Sequence, residues 1–343
     1  MSTGSRSIWF SGPRTVELRP GCVKNVADGD VRVRAVCSGI SHGSELLVYR
    51  GEVAEDAVLD LTIPTMQGSF GFPVKYGYAS VGTVIAVGPG VQGLNDGDAV
   101  FAFHPHETEY VVGAEYVVRL NSDLDPRVGV FLASLETALN AVLDAAPRIG
   151  ERVGIIGQGV IGLLITQLVH RMSPELLVTS DGYEKRRSLS LSCGADCSVG
   201  AGEGELLAAV TGAIGNQPGQ PGLDLVFEVS GHPRALTEAI RSVGAEGRVI
   251  VVSWYGARKE PIDLGNRFHR GRVTIRSSQV SRLDPVLLPR WTVDRRRKLA
   301  AHYLDQLRLK ELITHRFPFD AAPQAYELID SSPGDVVQVV IDY

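Results

Sequence analysis

Six residues near the middle of the chain, Gly157-Gln158-Gly159-Val160-Ile161-Gly162, place three glycines at the spacing G-x-G-x-x-G. They follow the apolar run Val153-Gly-Ile-Ile156 and open another that continues to His170. A strand-to-helix turn of this kind binds phosphates. Its first glycine permits the tight turn, its second lets the backbone approach a pyrophosphate, and its third lets the helix pack closely on the strand. The helix N-terminus adds N–H donors and the positive end of a dipole. Asp181 stands 24 residues after Gly157, just past the next apolar segment. A carboxylate there accepts hydrogen bonds from ribose hydroxyls and repels a 2′-phosphate, so the pattern favours NAD over NADP. Arg186 and Arg187 pull the other way, because a nearby basic side chain can hold that phosphate.

Other side chains capable of chemistry lie elsewhere. Glu136, in Leu135-Glu-Thr-Ala138, opens an apolar helix where few charges belong. Such a carboxylate is either a partnered helix-face residue or part of a proton relay, and Glu136 is expected in a cleft. Glu45 and His42 are similar candidates. His104 and His106 flank Pro105 and read as loop histidines near a cleft rim. Lys75 precedes Tyr78 by three residues, an odd spacing that sends strand side chains to opposite faces, so Lys75 reads as solvated. Asp294-Arg-Arg-Arg-Lys298 reads as a solvated helix face, with an anion-binding role as the alternative.

The elements that must position these groups fall into two styles. Up to about residue 120 the chain is β-rich. Val31-Arg-Val-Arg-Ala35 alternates as a half-buried strand does, Ser38 to Ser44 reads as a turn region, and Gly77 to Val100 is a series of short strands and turns. Val128 to Ala146 has helical spacing and stops at Pro147. From Arg152 to about Ser278 strands alternate with helices: Leu176–Thr179, Glu184–Cys193, Leu223–Val229, His232–Val243, Arg248–Val252. That rhythm predicts an α/β fold with a parallel sheet covered on both faces. Mixed structure returns near the end, finishing in the strand-like Val336–Ile341. The expected layout is discontinuous, with one domain of residues 1–122 completed by 280–343 and a dinucleotide-binding domain at 123–279.

Composition excludes several classes. Hydrophobic residues make up 44% and charged residues 21%, which argues against disorder. A formal charge of −5, from 34 basic and 39 acidic residues, argues against a nucleic-acid partner. Cys22, Cys37, Cys193 and Cys197 include no C-x-x-C pair, as expected of a cytoplasmic chain with reduced thiols. The opening MSTGSRSIWFSGPR has no apolar signal core, and the most apolar run, Val153–Val169, is broken by four glycines, so no membrane partner is expected.

Val81-Gly82, Val84, Val87-Gly88, Gly90-Val91 and Gly97-Asp-Ala-Val100 resemble the strand-turn pattern of the medium-chain dehydrogenase/reductase superfamily. Glu109-Tyr110, the glycine fingerprint, Asp181, Leu191–Asp196, Ile313–Phe317 and Ala325–Ile329 extend the resemblance along nearly the whole chain. It implies a GroES-like β domain plus a Rossmann doubly wound domain, an active site in the cleft between them, and a homodimer or homotetramer. It implies hydride transfer between a nicotinamide cofactor and an alcohol or carbonyl of a small-molecule substrate. Ser253, in Ser253-Trp-Tyr-Gly256, then passes beside the nicotinamide, and Ser278 lies where the family's backbone binds the carboxamide. Trp254 and Tyr255 shape a pocket or pack in a core or dimer interface.

The zinc enzymes of that superfamily place ligands where this chain has Ser41, Tyr78 and Ala133, and no Cys lies between residues 38 and 192 to form a structural zinc lobe. No metal is therefore expected, although His42, Glu45, His104, His106 and Glu136 are donors from which a site could be rebuilt. Gly39-Ile-Ser-His-Gly-Ser-Glu-Leu-Leu-Val-Tyr-Arg-Gly51 locally resembles a branch that includes bacteriochlorophyllide dehydrogenases, with Gly43-Ser44-Glu45 nearest to their shared element. Without a metal, a side chain must donate to the substrate oxygen, and the resemblance points to Tyr78. The expectation is an NAD-dependent, zinc-independent alcohol dehydrogenase or ketone reductase. The alternatives are an enoyl or quinone reductase, and a non-catalytic NAD(H)-binding protein.

Overall fold

The computed structural model describes residues 4–59, 63, 65–215 and 222–343. It comprises two compact units, Met1–Ala133 with Ala301–Tyr343, and Ser134–Ala300.

In the first unit, β1 (Ser5–Gly12) and β2 (Thr15–Gly21) form an antiparallel pair. The larger sheet is built around β3 (Asp30–Ile40), with β4 (Ser80–Val87), β5 (Ala99–Ala102), β6 (Glu109–Gly113) and β7 (Val117–Arg119). The far end of the chain adds β14 (Ile313–Pro318) and β15 (Gln338–Asp342). The order is β14-β15-β3-β4-β5-β7, and β6 also pairs with β3. Along β3, Val31, Val33, Ala35 and Cys37 turn inward, while Arg32 and Arg34 pair with Glu109. The alternation ends at Cys37, after which Ser38, Gly39 and Ile40 are all buried, so the strand runs into what the sequence suggests is a turn. Helix α1 (Ser44–Arg50) follows at once and ends on Gly51, whose φ of 72° forms a left-handed cap. Tyr326, on α9 (Ala322–Ser331), is fully buried edge-on to Phe10 at 5.2 Å and stacked on Tyr49 at 5.7 Å. Short helix α2 (Pro126–Gly129) is capped by Asp125, which accepts from the Arg127 N–H.

The second unit begins within α3 (Leu132–Ala145) and continues as β8 (Arg152–Ile156), α4 (Val160–His170), β9 (Leu176–Ser180), α5 (Glu184–Ser192) and β10 (Cys197–Val199). Its second half holds α6 (Glu205–Ile214), β11 (Leu223–Glu228), α7 (Arg234–Ser242), β12 (Val243–Val251) and β13 (Thr274–Ser277), and it ends within α8 (Val293–Tyr303). The six strands are parallel in the order β10-β9-β8-β11-β12-β13. Counted within the unit this is 3-2-1-4-5-6, the doubly wound order, with its switch point between β8 and β11. The strands read as near-continuous apolar runs because both faces are covered. On α7, Leu236, Ala239 and Ile240 recur at helical spacing and are buried against the sheet residues Val226 and Val249. β12 starts five residues before the apolar run that marks it in the sequence. Its first residues include Glu246 at φ 59°, an irregular stretch that hides the strand from a periodicity reading.

Candidate functional site

The glycine turn leaves β8 at the switch point. Gly157 has φ 97°, and a Cβ there would sit 2.5 Å from Ser230 Cα, so no side chain fits. At Gly162 a Cβ would lie 1.9 Å from the Gly157 carbonyl oxygen, which is the close helix-to-strand packing that the third glycine provides. Gly159 differs: a Cβ there would meet nothing within 4 Å. It is the N-cap of α4 and supplies no capping side chain. The backbone at the head of α4, Val160 and Ile161 included, therefore borders an open cradle with the N–H groups and dipole that suit phosphate.

Gln158 is a correction to the sequence reading. Its side chain is fully buried, donating to the Gly157 carbonyl at 3.1 Å and accepting from Thr166 Oγ1 at 3.0 Å. Its side chain braces the turn from inside. Its N–H donates to Asp181 Oδ2 at 2.7 Å, and the Tyr183 N–H donates to Asp181 Oδ1 at 2.9 Å. Each carboxylate oxygen keeps acceptor capacity for a further donor. Arg186 lies over the Tyr183 ring at 5.0 Å and within 3.8 Å of Asp181 Oδ2, and Arg187 donates to the Asp181 carbonyl at 2.9 Å. Ser253 Oγ accepts from the Gly231 N–H at 2.8 Å. Ser278 commits its N–H to the Val251 carbonyl at 2.8 Å and its hydroxyl to Asp144 at 2.6 Å, so neither donor is left for a carboxamide. Burial outweighs that hydroxyl and Arg276 to push the Asp144 carboxyl above its usual range. Trp254 is exposed.

A second polar centre lies in the first unit. The Tyr78 hydroxyl donates to Ser41 Oγ at 2.6 Å and lies 2.6 Å from Ser44 Oγ, while the two serine oxygens are 2.9 Å apart. All three residues are half-buried. The oxygens form a triangle in which each hydroxyl can donate to the next. Beneath it Glu45 is fully buried, accepting from the Ser41 N–H at 2.8 Å, His106 Nε2 at 3.0 Å and the Tyr326 hydroxyl at 2.5 Å. His106 Nδ1 bonds to Ser38 Oγ at 2.7 Å, and Ser38 to the Tyr343 hydroxyl at 3.0 Å. Gly77, at φ 136°, makes room for this: a Cβ there would sit 2.6 Å from the His106 ring.

Several expectations change here. Glu45 is a buried hub for three donors, placed below the hydroxyl triangle. His106 is fully buried and His104 nearly so, with neither at a rim. His104 bonds to the Pro105 carbonyl at 3.0 Å and stacks on Tyr110 at 3.7 Å. Lys75 pairs with Glu107 at 3.4 Å. His42 is half-buried in the turn before α1. Glu136 is buried in the second unit, where it accepts from Arg296 at 2.8 Å and Arg297 at 3.4 Å. Arg296, from the run expected to be solvated, is 1% exposed and also donates to Asn140. The available signal was Ala300, four residues on and on the same helix face, which is also buried. Among the described residues, no three His, Cys, Asp or Glu side chains group to hold a metal.

Residues 160–288 match the family model described as zinc-binding dehydrogenase. Over 98% of its length the chain is 23% identical to D-guloside 3-dehydrogenase of Escherichia coli K12, all of which is covered. Its fold matches an Escherichia coli oxidoreductase/dehydrogenase of unknown specificity, with TM-score 0.82, 18% identity and 99% of each chain covered. It also matches a putative zinc-binding dehydrogenase of Sinorhizobium meliloti bound to NADP, with TM-score 0.78, 20% identity, and coverage of 99% of this chain and 100% of that one. These similarities run over nearly the whole chain and are to dehydrogenases of the medium-chain dehydrogenase/reductase type.

Proposed function

We propose that this chain is an NAD-dependent alcohol dehydrogenase or ketone reductase for a small polar substrate, in which the Tyr78 hydroxyl takes the place of a zinc ion. The hydroxyl triangle carries the reading. Zinc relatives are expected to place ligands at the positions of Ser41, Tyr78 and Ala133. Here two of those positions hold hydroxyls bonded to one another, and the third is a buried methyl group with no donor atom. Neutral hydroxyls and an alanine do not make a zinc site. They do make a neutral hydrogen-bonding patch for a hydroxyl or carbonyl oxygen.

The dinucleotide fits the other unit. The open cradle at Gly159 would receive the pyrophosphate, and Asp181 the ribose hydroxyls, with its negative charge favouring NAD over NADP. When bound, the nicotinamide supplies or accepts the hydride. In the reducing direction, negative charge grows on the substrate oxygen, and Tyr78 turns its proton from Ser41 toward it. Ser44, 2.6 Å away, then donates to the phenol oxygen and holds the charge left behind. Glu45 keeps Ser41 in place through its backbone N–H. A secondary hydroxyl on a sugar- or polyol-like molecule suits this patch, and one relative is named for such a substrate.

Replacing Tyr78 by Phe tests the reading. Ketone reduction should fall by about 10²–10⁴-fold in kcat with NADH affinity unchanged. Unaltered turnover in Tyr78→Phe would remove the role given to Tyr78. A stoichiometric zinc whose chelation abolishes activity would overturn the metal-free reading.

A further inference from the structure

β11 ends in a charge. Glu228 closes the run Leu223-Asp-Leu-Val-Phe-Glu228 and is fully buried. Its Oε1 accepts from the Ser230 N–H at 2.9 Å and from the Ser230 hydroxyl at 2.5 Å. Its Oε2 accepts from the Tyr255 hydroxyl at 2.5 Å. Burial and then the Glu228 charge push the Tyr255 phenol well above its ordinary range, so it stays a donor. The Glu228 carbonyl takes the Val252 N–H at 2.9 Å. One residue thus ties the loop after β11 to the loop after β12, and the Ser253–Gly231 bond adds a second tie.

Ser230 is the residue that a Cβ at Gly157 would strike. Asp181 grips the glycine turn itself through the Gln158 N–H, whereas the side-chain hydrogen bonds of Glu228 go to Ser230 and Tyr255, in the loops after β11 and β12. The two carboxylates serve different halves of the sheet. In a doubly wound unit the first three strands and the last three each form a mononucleotide-binding half. Asp181 follows the second strand of the first half, and Glu228 ends the first strand of the second. A buried carboxylate near a phosphate turn is unfavourable unless donors hold it, and here three do.

We propose that Glu228 is a positioning residue for the second mononucleotide: it sets Ser230, Gly231 and Tyr255 against the nicotinamide half of the ligand and leaves the adenosine diphosphate half untouched. This rests on the dinucleotide reading above. The experiment compares dissociation constants for NADH and for ADP, by calorimetric titration of the full-length protein and its Glu228→Gln and Tyr255→Phe variants. Melting temperatures of the unliganded proteins are taken alongside.

Glu228→Gln keeps the shape but must aim an amide N–H at one of its donors. It should weaken NADH about tenfold and ADP by less than about twofold. Tyr255→Phe, which removes one of three bonds, should weaken NADH about threefold, and it decides the matter should Glu228→Gln not fold. Unchanged NADH binding, or equal losses for both ligands, would overturn the proposal, since a merely structural role lowers the melting temperature without separating the two. A wild-type protein that binds neither ligand would instead overturn the dinucleotide reading itself.

Discussion

Glu45 and Glu136 look alike in the sequence, each a carboxylate beside apolar residues, yet the molecule satisfies them in opposite ways. Glu136 meets two guanidinium groups, from Arg296 and Arg297. Glu45 meets a backbone N–H, a phenol and an imidazole. In the second unit a full charge is cancelled by charge. In the first, the carboxylate is dispersed over polar donors that also hold the hydroxyl triangle. A buried acid is thus no sign of catalysis by itself, and the identity of its partners says whether it braces a core or a site.

The contrast predicts that breaking the ion pair has the largest effect. Arg296→Met leaves the buried Glu136 with only the longer Arg297 contact, and stability measured by urea unfolding should fall by about 3–5 kcal/mol. Adding Glu136→Leu to that variant should restore most of it, because a well-packed apolar pair replaces a buried ion pair at little cost. A loss of under about 1 kcal/mol in the single variant would mean that Arg296 and Glu136 are not a pair that the core depends on.

Glu45→Gln should cost less, about 1.5–3 kcal/mol, because neutral hydrogen bonds survive where charge-assisted ones are lost. The informative readout is kcat, which should fall as Ser41 loosens and Tyr78 loses its fixed partner. Loss of stability with kcat intact would detach Glu45 from the hydroxyl triangle.

A further effect, near zero at neutral pH and growing with acid, is a pH slope from the loop that carries both histidines. Burial pushes the His104 imidazole from its usual 6.5 down to about 3, whereas an unfolded chain protonates it near 6.5. The unfolded state therefore binds the extra proton first. The stability this group contributes is present above about pH 6.5 and is lost as pH falls toward about 3. The slope is at most about 1.4 kcal/mol per pH unit for one proton. Unfolding free energies at several pH values should show His104→Asn with a shallower acid limb than the wild type. Parallel limbs would rule out His104 as the source.

The parallel sheet was legible because its signals are local: apolar runs of strand length, helical spacing between them, and glycines at the turn. The Gly157–Gly162 turn and Asp181 were found for the same reason, and the structure brings them into direct contact. What escaped was decided by packing between distant segments. Arg296 sits in a run of like charges that reads as solvent-facing, and only the placement of α3 against α8 buries it. Short β10 and the irregular start of β12 carry too little periodicity to register. Glu228 had a visible signal, a glutamate ending a buried apolar strand, but its partners Ser230 and Tyr255 come from two separate loops. His104 and His106 beside a proline look like loop-tip residues, and nothing nearby in sequence announces that Tyr110, Ser38 and Glu45 enclose them.

The imidazole of His106 occupies the space that any side chain at position 77 would need. For anyone re-equipping this polar centre, that imposes an order of operations. Residue 106 must be trimmed, and the backbone at φ 136° relaxed, before residue 77 can be enlarged, and trimming residue 106 releases Glu45 and Ser38 together. A redesign that begins at Gly77 starts from the wrong end.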